Sequence, residues 1–123
     1  MAVLGGTFDP VHHGHLRLAV EIIEYFSLDS VRMIPAAAPN LRGAPEASAE
    51  DRLAMAAAAS GNGIEVDDRE VRRAGRSYTV DTLAGLRAEH GDAPLLLVLG
   101  ADAATRLNYW DRWQQLFDYA HLV

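Results

Sequence analysis

Hydrophobic positions along the chain switch between short continuous runs and helical spacing, and the switches predict alternating strands and helices. Met1 to Leu4 is an apolar run closed by Gly5-Gly6, which reads as a buried strand feeding a turn. From His15 to Phe26, residues Leu16, Ala19, Val20, Ile23 and Phe26 recur at helical spacing. Leu18 and Ile22 widen that stripe, so the helix is expected to be covered by other elements. Ser30 to Ile34 is a second strand closed by Pro35, and residues 35–47, with three prolines, Asn40 and Gly43, read as a loop. Ser48 with Asp51 has capping-box spacing and opens an Ala-rich helix to about Ser60, stopped by Gly61-Asn62-Gly63. Ile64 to Val66 is a weak third strand, and the charges from Glu65 to Arg73 read as a mixed exposed surface. Ser77 or Thr79 would cap a helix carrying Val80, Leu83 and Leu86 and ending near Gly91. Leu95 to Leu99 is a continuous apolar strand followed by Gly100. A polar segment, a helix from Trp110 to Tyr119 and a last strand, His121 to Val123, complete the pattern.

Strands alternating with helices imply a parallel α/β sheet in one domain. Ligands on such sheets bind beyond the carboxyl ends of the strands. Three features fall there: the His-rich loop after the first strand, the Pro-rich loop after the second, and Gly100-Ala101-Asp102.

Composition narrows the function. The chain has 123 residues, half of them apolar, enough for one real core. It contains no Cys, which removes disulfides and thiolate metal sites. No apolar run approaches the roughly 20 residues of a bilayer span, and the N-terminus lacks the basic and apolar regions of a secretory signal, so a soluble, cytoplasmic protein is expected. A net charge of −6 argues against nucleic-acid and anionic-membrane partners, which require a basic face. It leaves room for a nucleotide in a local positive pocket.

The stretch GGTFDPVHHGHL, Gly5 to Leu16, carries the candidate chemistry. A metal site is disfavoured: beyond His12, His13 and His15 the only histidines are His90 and His121, and no second ligand cluster appears. A phosphate cradle fits better. The loop leaves a strand and enters a helix whose N-terminal N–H groups attract anions. Gly5, Gly6 and Gly14 permit close backbone approach, Asp9-Pro10 fixes the turn, and His12 and His15 can donate to phosphate oxygens from one side of the first turn. The competing assignment is a simple helix cap. Neither a P-loop nor the G-x-G-x-x-G fingerprint is present.

With its H-x-G-H element at His12, Gly14 and His15, this stretch resembles the signature of the α/β nucleotidyltransferase superfamily. Further along stand Asp68-Arg69-Glu70, Gly75-Arg76-Ser77-Tyr78-Thr79, Thr82-Leu83, Leu99-Gly100-Ala101-Asp102 and Trp110. Together these resemble the nicotinate-nucleotide adenylyltransferase family over essentially the whole chain. The resemblance implies a Rossmann-like parallel sheet flanked by helices, of nucleotidyltransferase type. It implies transfer of AMP from ATP, carried with Mg²⁺, to nicotinate mononucleotide, without a covalent enzyme intermediate. It also implies roles: Gly5, Gly6, Thr7 and Phe8 line the ATP site, and His12 and His15 bind its phosphates and act in catalysis. Arg42 supplies a basic catalytic contact. Gly100 and Asp102 face the adenosine, and Tyr78, Thr79, Thr82 and Trp110 border the pyridine. Without the resemblance, Asp102 reads as a helix N-cap, Tyr78 and Trp113 as packing, Arg42 as a solvated side chain, and Trp110 as either core or stacking platform.

Two departures from the family pattern bear on activity. The second loop reads Pro39-Asn40-Leu41-Arg42, with leucine where the family has histidine. An Ile-Ser-Thr-x-x-Arg element, which clamps ATP phosphates in the family, is missing, so the C-terminal part of the domain is expected to be absent. Two alternatives therefore stand beside the lead: transfer to another phosphorylated acceptor such as phosphopantetheine, and a non-catalytic nucleotide-binding fragment.

Overall fold

The computed structural model describes residues 1–38, 43–73 and 75–123. Among the described residues five strands form one sheet: β1 (Ala2–Gly6), β2 (Val31–Pro35), β3 (Ile64–Val66), β4 (Leu96–Val98) and β5 (His121–Leu122). Their order is β3-β2-β1-β4-β5, and every pair is parallel. Parallel neighbours need crossover connections, and these carry α1 (His13–Phe26), α2 (Ala49–Ala59), α3 (Arg69–Arg72), α4 (Thr79–His90), α5 (Ala101–Thr105) and α6 (Leu116–Tyr119).

Alternation within the short strands builds two cores. Ala2, Leu4, Val31, Met33, Leu96 and Val98 face one side, where they meet Ala19 and Ile22 of α1 and Ala56 of α2. Val3, Ile34, Leu95 and Leu97 face the other, against Val80, Leu83 and Leu86 of α4 and Leu116 of α6. Both faces are covered, which explains why the central strands β1 and β4 read as unbroken apolar runs rather than alternating ones. After β1 the chain winds outward through β2 and β3, then returns to place β4 on the opposite side of β1. The carboxyl ends of β1 and β4 therefore meet at a topological switch point, where ligands of open α/β sheets bind. Among the described residues, no helix is long and apolar enough to cross a membrane.

Several expected elements shift. Gly5 and Gly6 do not end β1 but form its last two residues, paired in register with Ile34 and Pro35. α1 begins at His13, and its buried side centres on Ala19 and Ile22, leaving Val20 and Phe26 exposed. The stripe is thus rotated, and the helix is not covered all round. Neither Ser77 nor Thr79 caps α4: the N-cap is Tyr78, with no side-chain bond, and the Ser77 hydroxyl donates to Glu70 O at 3.4 Å.

The segment from Glu65 to Arg73 is not a plain charged surface. It contains α3, and Asp67 is nearly buried beneath Arg69 (2.8 Å) and Arg32 (3.3 Å). Burial alone would push the Asp67 carboxyl up; the bonds from Arg69 and the charges of Arg69 and Arg32 outweigh it and hold it below the usual range.

The expected helix from Trp110 to Tyr119 is broken. α5 and a 3₁₀ turn at Leu107–Tyr109 precede it, Arg112 takes a left-handed φ of 48°, and a second 3₁₀ turn at Trp113–Gln115 leads into α6. Arg112 bonds Asp81 of α4 at 2.9 Å, which holds this irregular segment against α4.

Candidate functional site

The first helix is capped by two imidazoles. His12 is the N-cap, extended at φ −145° and ψ 175°, and its Nδ1 accepts the Gly14 N–H at 3.1 Å. Reciprocally, Nδ1 of His15 accepts the His12 N–H at 3.1 Å. This is a capping box in which both polar side chains are histidines. The rings stack, with centroids 3.8 Å apart and planes at 22°.

Occupation of both Nδ1 atoms as acceptors dictates the tautomer: a neutral ring that accepts at Nδ1 carries its proton on Nε2. Each imidazole therefore offers one Nε2–H donor, and the two donors stand beside a helix N-terminus that already favours anions. The cap uses the Nδ1 atoms alone, so capping is compatible with anion binding through Nε2.

Burial, and then the neighbouring charge of His12, hold the His15 imidazole below its usual pKa. Protonating Nδ1 would also break the bond to His12 N–H. A depressed folded-state pKa means that this contribution to stability is full above the unfolded value, about 6.5, and is lost as pH falls through the folded value. Urea midpoints measured between pH 8 and pH 5 should fall more steeply in the wild type than in a His15→Gln variant, whose side chain does not titrate.

Gly14 is required by the cap itself. A Cβ there would lie 2.9 Å from Cε1 and 3.0 Å from Nδ1 of His12. Gly14→Ala gains up to about 1 kcal/mol of helix propensity and loses a cap of about the same size. Stability should stay within about 1 kcal/mol of wild type while the His12 ring leaves its place. Thermal unfolding and anion binding measured together would show this separation.

Phe8 supports His15 from below. It is buried, takes a left-handed φ of 51°, and meets the His15 ring edge-on at 4.9 Å. Such a backbone is costly for a bulky residue and persists only where its surroundings impose it. One constraint is Gly6, where a Cβ would come within 3.3 Å of the Phe8 ring. Gly5 differs: a Cβ there would meet nothing within 4 Å, so it borders open space at the end of β1. Leu4 pairs with Val98, the last residue of β4, and Gly100, two residues on, is the N-cap of α5.

Two further side chains hold the loops. Arg52 of α2 is fully buried and donates to Thr7 O, Ala36 O, Ala37 O and Ala47 O at 2.7–3.2 Å. The Asp9 carboxylate accepts the N–H groups of Glu46 (2.7 Å) and Ala47 (3.0 Å). Sequence reasoning assigned Arg52 no role. A signal existed: Arg52 and Ala56, four apart, share the buried face of an otherwise Ala-rich helix.

The structure thus gathers Gly6, Thr7, Phe8, His12 and His15 at the junction of β1 and α1, with Gly5 in the last part of β1; Gly100 follows β4, the neighbour of β1, as the N-cap of α5. Asp102 lies exposed in the first turn of α5; the N-cap of that helix is Gly100, so the N-cap assignment for Asp102 does not hold. Tyr78 and Trp110 are both half-buried against the second core, and Thr79 opens α4. Trp113 packs on the same core and meets Phe117 edge-on. Thr82 is buried, and its hydroxyl donates to Glu70 Oε1 at 2.7 Å. Burial pushes the Glu70 carboxyl up, against the opposing Thr82 bond and Arg73 charge. Arg42, with its neighbour Leu41, lies outside the described residues. Among the described residues no three His, Asp or Glu side chains cluster as a metal site.

A sequence profile of the cytidylyltransferase-like family matches residues 3–123. The chain belongs to this family. Among curated relatives of this cytidylyltransferase-like chain, a protein of Chromohalobacter salexigens is 53% identical over 126 residues, and one of Pseudomonas entomophila is 49% identical over 126 residues. Both bear the name "probable nicotinate-nucleotide adenylyltransferase". Each match takes in 100% of this chain and 58% of the relative, so the chain spans well under two thirds of the curated relatives' length. The fold is also that of the Plasmodium falciparum nicotinic acid mononucleotide adenylyltransferase complexed with NaAD, at a TM-score of 0.79 and 19% identity, covering 94% of this chain and 58% of that one. The same Plasmodium enzyme complexed with APC aligns at a TM-score of 0.74 and 18% identity, covering 94% of this chain and 57% of that one.

Proposed function

We propose that the protein carrying this chain transfers AMP from ATP to nicotinate mononucleotide, releasing pyrophosphate and forming nicotinate adenine dinucleotide, a step of NAD biosynthesis in the cytoplasm. The observation that carries this reading is the reciprocal His12–His15 cap, which presents two Nε2–H donors where α1 begins, at the switch point of the sheet. The names shared by the curated relatives supply the acceptor.

A phosphate oxygen of the mononucleotide attacks the α-phosphorus of ATP in line. The new P–O bond forms as the bond from the α-phosphorus to the β-phosphate oxygen breaks, and pyrophosphate takes the electron pair. Negative charge moves onto the leaving oxygen, where His12 and His15 donate. The chain's task is positioning and charge neutralisation rather than nucleophilic attack. Mg²⁺ enters with the nucleotide as MgATP and neutralises its phosphates. Gly5, Gly6, Thr7 and Phe8 provide the floor beneath the phosphates. Gly100 and Asp102 face the adenosine, and Asp102 accepts a ribose hydroxyl. Arg42 adds a cationic contact from the second loop. Tyr78 and Thr79, at the N-terminus of α4, receive the nicotinate carboxylate, Thr82 borders the same pocket while its hydroxyl ties α4 to Glu70 of α3, and Trp110 stacks on the pyridine.

The test is to incubate the protein with MgATP and a panel of nicotinate mononucleotide, nicotinamide mononucleotide and phosphopantetheine, following pyrophosphate and dinucleotide. Preferred turnover of nicotinate mononucleotide is expected. Turnover of phosphopantetheine alone would overturn the acceptor, and ATP binding by calorimetry without transfer to any acceptor would overturn the reaction.

A further inference from the structure

We propose that Arg52, together with Asp9, is a positioning residue pair that sets the His12–His15 donors by locking the loop after β1 to the loop after β2. The proposal builds on the transfer reaction above for its activity readout, and on geometry alone for the rest.

Arg52 is wholly buried, yet no described carboxylate bonds its guanidinium. All four of its acceptors are backbone carbonyls. Nη1 reaches Thr7 O (2.8 Å) in the first loop and Ala36 O (2.7 Å) at the start of the second. Nη2 reaches Ala37 O at 3.0 Å, and Nε reaches Ala47 O, at the far end of the second loop, at 3.2 Å. A buried cation is tolerated only where its donors are satisfied, and here that condition is met solely if both loops hold their places.

Asp9 crosses the same gap with opposite polarity. Its carboxylate, in the first loop, accepts two N–H groups from residues 46 and 47 of the second. The two side chains thus join the same pair of loops in both directions, one through donors and one through acceptors. The link to the imidazoles is short. Thr7, held by Arg52, precedes Phe8, whose left-handed backbone sets its ring against that of His15 in an edge-type contact, and His15 accepts the His12 N–H. Movement at Thr7 O is therefore passed to both Nε2 donors.

Arg52→Lys separates geometry from charge. Lysine keeps the positive charge, but its single nitrogen has three donors and cannot replace a fork that serves four carbonyls from three nitrogens. The expected result is a folded protein whose kcat for adenylyl transfer falls by up to about 10²-fold, the loss that a misplacement of about 1 Å can produce, with KM for ATP little changed. Long-range ¹H–¹⁵N spectra of the His12 and His15 imidazoles should move from a fixed Nε2–H pattern toward averaged tautomers. Asp9→Asn, which keeps the shape but exchanges one acceptor for a donor, should move both readouts the same way by a smaller amount, and it carries the test if Arg52→Lys does not fold. Variants that fold and retain both the wild-type kcat and the wild-type imidazole spectrum would overturn the proposal. If the wild type itself transfers nothing, the reaction falls, while the imidazole spectra still decide the role of the clamp.

Discussion

On the proposed reaction, His15→Ala is expected to lower adenylyl transfer by about 10²–10³-fold, the typical effect of removing one donor to developing charge, with the fold retained. The variant loses the Nε2–H group and the acceptor for His12 N–H at once. Loss of a cap costs about 0.5–2 kcal/mol, and loss of the edge contact with Phe8 adds to it. The alanine variant alone would therefore mix two effects.

His15→Gln separates them. Glutamine is an ordinary residue for this third helical position of a capping box, so its amide oxygen can accept the His12 N–H. Stability should return to within about 1 kcal/mol of wild type, whereas transfer should stay depressed, because no ring holds a second donor against the first. Single-turnover rates with MgATP, set beside urea unfolding curves, check both halves. Transfer at the wild-type rate in either variant would mean that the imidazole only caps the helix.

Arg52→Met should produce the largest loss of stability of any single substitution considered. Methionine fits the volume of the arginine stem but leaves the carbonyls of Thr7, Ala36, Ala37 and Ala47 without their donor. A fully buried unsatisfied acceptor costs about 1–3 kcal/mol, and these four belong to half-buried residues, so each costs less than the upper figure. Removing the buried charge returns part of this, and the loops can open to admit water. A net loss of at least about 3 kcal/mol is expected, a large share of the 5–15 kcal/mol typical of a domain. The denaturant midpoint should fall sharply, with amide exchange rising first at residues 46 and 47, whose N–H groups bond Asp9. A midpoint within 0.5 kcal/mol-equivalent of wild type (about the scatter of a neutral surface substitution) would show that the four bonds carry little.

Much of the site was legible before the fold. The string from Gly5 to Leu16 announces a loop between strand and helix, and the structure seats it where β1 ends and α1 begins. Ser48 was readable as the cap of α2, because capping depends on residues three apart, and its hydroxyl accepts the Asp51 N–H at 3.1 Å. Gly91, at φ 60°, ends α4 where expected, since a left-handed position past a helix favours glycine. The last helix was misread because its spacing is helical from Trp110 on, while the left-handed Arg112 and its bond to Asp81 belong to α4 packing, thirty-one residues away in the chain. The Glu65–Arg73 charges were misread for a similar reason: Arg32 of β2, which pairs with Asp67, is distant in sequence.

By itself the sequence determined the local grammar: apolar runs and helical stripes in alternation, glycine and proline at the breaks, and imidazoles gathered at one helix mouth. These follow from bonds and steric limits within a few residues of each other. Tertiary structure alone decided the strand order, the side of α1 that is buried and the place of Arg52. Each of these depends on groups far apart in the chain meeting across a loop or a sheet, and burial makes their mutual satisfaction obligatory.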